Sequence, residues 1–163
     1  MKFKSVNAYD TFDFNDSELK SIKFNESQMT ITAAGVIVKA TNDQNKRFED
    51  MFTVLLEMTF DQFQMTAFDE QGYRYFDVNG NLLNKVDDRP LSEEEKTAVI
   101  SKVNSQGGKI FLMEKCPDRD GYEILIVVTD EETDDTVTYQ IFYQFENCIA
   151  KWDRFAGPVN GNF

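Results

Sequence analysis

The sequence predicts a mainly β fold: an antiparallel meander closing as a barrel or sandwich, with one surface helix at about residues 92–105. Three observations predict it. Apolar residues recur at every second position through most of the chain, the period of strands that turn one face to a core. Clusters of turn residues separate these runs at short intervals, which suits hairpins better than helical crossovers. One stretch alone carries both start and stop signals for a helix.

Ile22 and Phe24 lead into a turn at residues 25–28, after which Met29, Ile31 and Ala33 alternate with Thr30 and Thr32 as the second arm of a hairpin. Residues 35–41 carry Val36, Val38 and Ala40 on one side and read as a further strand, bounded by the polar loop 42–46. Phe52, Val54, Leu56, Met58 and Phe60 fall on one face of a long strand, and Phe63, Met65 and Ala67 repeat the pattern after a bend. Residues 73–78 form a strand closed by Asn79-Gly80, a dipeptide that tolerates positive φ and suits a tight hairpin turn.

The helix begins after Pro90 and Leu91. Ser92 is the N-cap, Glu95 completes a capping box, and Glu93 and Glu94 place negative charge where the helix dipole favours it. Val99, Ile100 and Val103 make a narrow apolar stripe, Lys102 falls in the last turn, and Gly107-Gly108 stops the helix. Beyond it, residues 110–115 and 122–129 are strands joined by a loop at 117–121. Ile124, Leu125, Ile126, Val127 and Val128 are apolar on both faces, as in a strand covered on both sides. Val137, Tyr139, Ile141, Tyr143 and Phe145 mark a long half-buried strand, and residues 148–155, with Trp152, a final one.

The chain of 163 residues reads as a single domain, 1–163, whose last residues, 157–163, form a loose tail rich in Gly and Asn. A domain of this size buries roughly 70% of its unfolded surface. Fifteen Phe, six Tyr and one Trp supply the core.

Charge and missing residue types narrow the function classes. Seventeen Lys plus Arg against 29 Asp plus Glu leave a formal net charge of -12. Such a field repels phosphate backbones and anionic lipid, so neither nucleic acid nor a membrane surface is an expected partner. Solubility accounts for it, as does a preference for a basic protein partner. The chain has no histidine, which closes the Ser-His-Asp triad, the Cys-His dyad and His-based zinc sites. Cys116 and Cys148 lack CxxC spacing and are expected as two reduced, half-buried thiols; Lys115 beside Cys116 would lower its pKa. No phosphate-binding glycine loop is present and no cofactor is expected. The first ten residues lack the apolar run of a signal peptide, which predicts a cytoplasmic location.

Two acidic clusters invite a cation. Asp118-Arg119-Asp120-Gly121 followed by Glu123 resembles the start of a calcium loop, so Asp118, Asp120 and Glu123 are candidate metal ligands. The closing acid of an EF-hand would fall at 127–129, within apolar strand, and a hairpin turn explains the segment equally. Residues 130–135 hold five acids in six and suit a solvated hairpin tip.

The segment Gly72-Tyr73-Arg74-Tyr75-Phe76-Asp77-Val78-Asn79-Gly80-Asn81-Leu82 resembles one unit of the aromatic hairpin repeats of choline-binding and glucan-binding wall proteins, and is similar to the tyrosine-aspartate repeats of large secreted toxins. The likeness covers these eleven residues, and those families use many tandem copies where this chain has one. Aromatic alternation and an Asn-Gly turn account for the segment independently.

Trp152 and Phe155 are candidates for an exposed aromatic anchor, or for a lid over the end of the core. The expected function is a non-enzymatic binding or protein-interaction module, with a basic partner favoured by charge. The alternative is a β-barrel that binds a small apolar ligand, with carboxylate-based hydrolysis as an accompanying activity.

Overall fold

A computed structural model describes residues 1–161, which are mainly β, antiparallel, and carry one α-helix. The strands are β1 (Phe3–Val6), β2 (Phe12–Asp13), β3 (Glu18–Asn25), β4 (Gln28–Ala34), β5 (Ile37–Val38), β6 (Met51–Thr53), β7 (Leu56–Asp61) and β8 (Gln64–Glu70). There follow β9 (Tyr73–Phe76), β10 (Leu82–Val86), β11 (Arg89–Pro90), the helix α1 (Glu93–Gln106), β12 (Gly108–Lys115), β13 (Tyr122–Thr129), β14 (Thr136–Gln144), β15 (Asn147–Trp152) and β16 (Phe155–Pro158). Ten strands make one sheet in the order β1-β15-β7-β4-β3-β12-β13-β14-β8-β11. A second sheet runs β16-β6-β5-β2, and β9 and β10 pair alone.

This order corrects the expected meander. In the large sheet only β3–β4 and β12–β13–β14 are neighbours both in sequence and in space, and the other pairings join distant segments. Its two ends, β1 and β11, stand at opposite ends of the order, so the hydrogen-bonded ladder is open.

The open sheet nevertheless folds over on itself. β7 and β8 are six strand steps apart, which in a flat sheet would separate them by about 28 Å. Only Gln62 and Phe63 connect them, a link that spans at most about 11 Å. The sheet must therefore curl until β7 faces β14, and the Phe60 ring of β7 lies 5.7 Å from Tyr143 of β14. Ile22, Ile31, Met58, Phe60, Ile110, Ile124, Ile126 and Ile141 fill the space so enclosed.

The single long strand read through residues 52–60 is two strands in two sheets. Val54 and Leu55 break it, both partly exposed, and the Val54 amide donates to the Arg154 carbonyl at 3.3 Å. Alternation changes parity at the break: Met51 and Thr53 are buried before it, and Leu56, Met58 and Phe60 after it. Thr53 and Leu56 are three positions apart where alternation needs an even number, and this net slip of one residue reverses which side chains face inward. Likewise the strand read at 35–41 shortens to β5, since Gly35 adopts a φ of 79° and the Lys39 amide turns to the Thr11 carbonyl. The C-terminal tail is also shorter than read. Gly157 and Pro158 belong to β16, which pairs with β6, and residues 162–163 lie outside the described region.

The helix matches its sequence signals. Both hydrogen bonds of the Ser92/Glu95 capping box form, Val99 and Val103 are buried, and Gly107 closes the end with a φ of 83°. Lys102 lies before the last turn and reaches Asp130 at 3.4 Å. Asn104 fixes the helix to the sheet: its carboxamide accepts from the Ile22 amide at 2.8 Å and donates to the Ile22 carbonyl at 2.9 Å. These two bonds serve backbone groups on the edge of β3 beyond its short pairing with β12, which covers only Glu18 and Leu19.

Candidate functional site

Beginning with the residues singled out above, Asp118 and Asp120 lie in the exposed loop between β12 and β13, while Glu123 is on β13, opposite Glu114 of β12. Among the described residues no group of three or more Cys, Asp or Glu side chains is placed to hold a metal ion. Glu123 instead accepts from Gln140 Nε2 at 3.2 Å, and Arg119 stacks over the Phe142 ring at 3.5 Å. The acidic run at 130–135 is a hairpin tip. The Asp130 carboxylate accepts from the amides of Glu132 and Thr133, which hold its pKa below the usual carboxylate value.

Trp152 is fully buried and Phe155 half-buried, so Trp152 belongs to the core and is not an exposed anchor. Trp152 stacks on Phe3 at 5.3 Å and meets Phe12 edge-on at 5.7 Å, while Phe155 packs on Phe3 at 5.2 Å. Both cysteines are free and buried. Burial raises the Cys116 thiol, and Glu123 adds to the rise, so Lys115 does not activate it.

Three surface features stand out instead. The first is the β9–β10 hairpin. Asp77 makes its tip, accepting from the Asn79 amide at 2.9 Å and the Asn81 amide at 2.8 Å, which lowers its pKa. Only Gly80 of the Asn79-Gly80 pair has positive φ, 84°, as in a three-residue loop ending in a glycine bulge. At the base, a Cβ on Gly72 would lie 1.9 Å from the Val86 carbonyl oxygen, so no larger residue fits there without moving the backbone. Every residue of both strands is exposed. Tyr73, Tyr75, Phe76, Val78, Leu82, Leu83 and Val86 all present large apolar side chains to solvent, and Tyr75 and Phe76 each keep 57% of their surface exposed.

The second feature is a groove of about 610 Å³ between α1 and the β3 and β8 strands, with Phe24, Phe63, Met65, Phe68 and Ile100 on its walls. The third is a cleft of about 570 Å³ where the single-turn 3-10 helix Tyr9–Thr11 meets the end of β12, the start of β13 and the β14–β15 turn at Phe145 and Glu146. Asn7 anchors this crossing. Its amide donates to the Cys148 carbonyl at 2.8 Å, and its side-chain oxygen accepts from the Cys148 amide at 2.9 Å.

Behind the third cleft lies an aromatic cluster of Tyr9, Phe60, Tyr122, Tyr143 and Phe145. The Tyr9 and Tyr143 hydroxyls are buried, and among the described residues neither has a hydrogen-bond partner of good geometry, although they are near enough to perturb one another's ionisation. Burial raises both phenols far above the ordinary value near 10. The folded state therefore holds protons that the unfolded chain releases above about pH 10. Stability conferred by the neutral phenols is complete below that pH and declines as pH rises toward the folded values. Tyr143→Phe is expected to flatten this alkaline decline and to leave stability at pH 8 equal or higher, because it removes an unpaired buried hydroxyl. Urea midpoints at pH 8 and 10.5 measure it; equal declines in both proteins would refute the assignment.

Sequence reasoning found the hairpin but not its exposure, and missed the cleft entirely. The first ten residues read as mixed and polar, so β1 and the Tyr9 turn carried no periodic signal. No helix among the described residues is long and apolar enough to cross a membrane. Comparison with protein-family models, with curated proteins and with solved structures found no match.

Proposed function

We propose that this chain is a non-enzymatic protein-interaction module that docks a basic polypeptide through the β9–β10 hairpin. The observation that carries this reading is the concentration of exposed aromatic and aliphatic side chains on a projecting two-stranded ribbon. Tyr73, Tyr75 and Val86 share one face of the ribbon, with the Tyr73 and Tyr75 rings 4.8 Å apart, and an exposed apolar face of this kind marks a docking site on proteins that otherwise keep such groups inside. The ribbon also offers the outer edges of two short strands for pairing with an added strand.

Charge selects the partner. Asp69, Glu70, Asp77, Asp87 and Asp88 flank or tip the hairpin against Arg74, Lys85 and Arg89; Glu70 pairs with Arg89 and Asp87 with Lys85, which leaves an acidic excess of five to three within a chain of net charge -12. Acidic surroundings of an apolar patch steer a basic partner and repel acidic ones. The test is retention of a basic protein by the tagged chain in lysate of its source cells, at low and at high salt. A basic protein held by the wild type, released by salt and not held by a hairpin variant supports the reading. Equal retention by that variant refutes it.

The curled open sheet suits a sandwich better than a barrel, and the groove beside α1 favours a second reading, a small apolar ligand. Phe24, Phe63, Met65, Phe68 and Ile100 give it an apolar lining at the helix–sheet junction, a common place for such sites. Nile red, a neutral apolar dye, is expected to brighten on binding there and to lose most of that signal in Ile100→Glu. A signal unchanged by the substitution would remove the reading.

A further inference from the structure

We propose that the cleft beneath the Tyr9 turn binds an organic cation, an alkylammonium group on a short apolar stem. This goes beyond the hairpin reading. Glu70, at the base of the hairpin, pairs with Tyr139 of β14, whereas Phe145 lies just past the other end of that strand; six residues of strand separate them by about 20 Å.

Three half-buried rings form one wall. Tyr9 meets Tyr122 at 5.2 Å and 79°, Tyr122 meets Phe145 at 4.5 Å, and Tyr9 meets Phe145 at 5.7 Å. All three line the cleft. The Tyr9 hydroxyl is buried, so what this residue presents to the cleft is ring and backbone. Aromatic faces attract cations through their quadrupole, and they also accommodate the methylenes that carry an ammonium group.

The rim supplies charge of the matching sign. Asp10, Asp13, Glu114 and Glu146 line the cleft against Lys39 and Lys115. Lys39 Nζ donates to the Asp10 carbonyl at 3.1 Å, a neutral partner that leaves its charge in place, so the rim sets four carboxylates against two ammonium groups. Asp13 is engaged, accepting from the Asn15 amide at 2.9 Å. Asp10 and Glu146, both exposed, remain for a ligand. The volume exceeds that of one ammonium head and leaves room for its stem.

The test is an NMR titration of the full chain with n-butylammonium and with 1-butanol, which has the same stem and no charge, following the ring protons of Tyr9, Tyr122 and Phe145. The ammonium is expected to bind about 3- to 30-fold more tightly than the alcohol. Tyr122→Leu should remove most of this preference. Asp10→Asn with Glu146→Gln, which alters only exposed positions, should weaken the ammonium and leave the alcohol unchanged. Equal binding of both probes, or an ammonium affinity untouched by the double variant, would overturn the proposal. The peptide Gly-Gly-Lys-Gly-Gly distinguishes two sources of the same chemistry. Tighter binding than n-butylammonium assigns the cleft to a lysine side chain of a polypeptide, and equal or weaker binding assigns it to a free amine.

Discussion

Trp152→Ala is expected to lower the unfolding free energy by about 3–5 kcal/mol, the cost of deleting a large aromatic side chain from a packed core. The ring lies on β15 of the ten-stranded sheet, and its neighbours come from both sheets: Phe3 from β1, Phe12 from β2 and Phe155 from β16. Alanine leaves a hole that three rings on different strands must collapse to fill. At roughly 2–4 °C per kcal/mol for a domain of this size, the melting temperature should fall by about 6–20 °C.

Trp152→Phe separates packing from polarity. The indole Nε1 is buried, with no partner among the described residues, so phenylalanine forfeits no hydrogen bond and keeps most of the ring contact. Its cost should stay below about 1.5 kcal/mol. Urea unfolding followed by far-ultraviolet circular dichroism reads both variants without relying on the chain's only tryptophan. A loss below about 1 kcal/mol for the alanine variant would mean that this residue does not clasp the two sheets.

The second large effect concerns recognition. Replacing Tyr75, Phe76, Leu82 and Leu83 together by serine is expected to weaken docking of the basic partner by at least about 100-fold, since aromatic anchors at interfaces commonly contribute 2 kcal/mol or more each. Stability should change little, because none of the four is buried and surface substitutions of this kind typically stay within about 0.5 kcal/mol each. Binding of the captured partner by surface plasmon resonance, paired with a thermal melt of the same sample, measures both quantities. Undiminished affinity in a folded variant would move the docking site elsewhere. A Gly72→Ala variant probes the same ribbon through its backbone, since the added Cβ collides with the Val86 carbonyl and must displace one arm of the hairpin.

The helix was the most legible element because its signals are local. Ser92, Glu95 and Gly107 act within a few residues of the backbone groups they satisfy, so sequence spacing and geometry coincide. The β12–β13–β14 succession was legible for a similar reason, each strand following the last through a short loop rich in acidic turn residues. Alternation at residues 52–60 misled because its period continued through a break that only the second sheet explains. The Tyr9 cleft carried no signal, since its walls come from positions more than a hundred residues apart.

The sequence by itself determined an acidic, histidine-free, mainly β chain with one capped helix and an aromatic strand at residues 73–78 closed by an Asn-Gly turn. These follow from composition, period and nearest-neighbour chemistry. Tertiary structure alone decided the strand order, the curl that brings β7 against β14, the burial of Trp152 and the exposure of Tyr75 and Phe76. A strand's period records that its two faces differ, but which distant strand it joins, and whether anything covers its apolar face, depends on packing between segments that the local pattern does not encode.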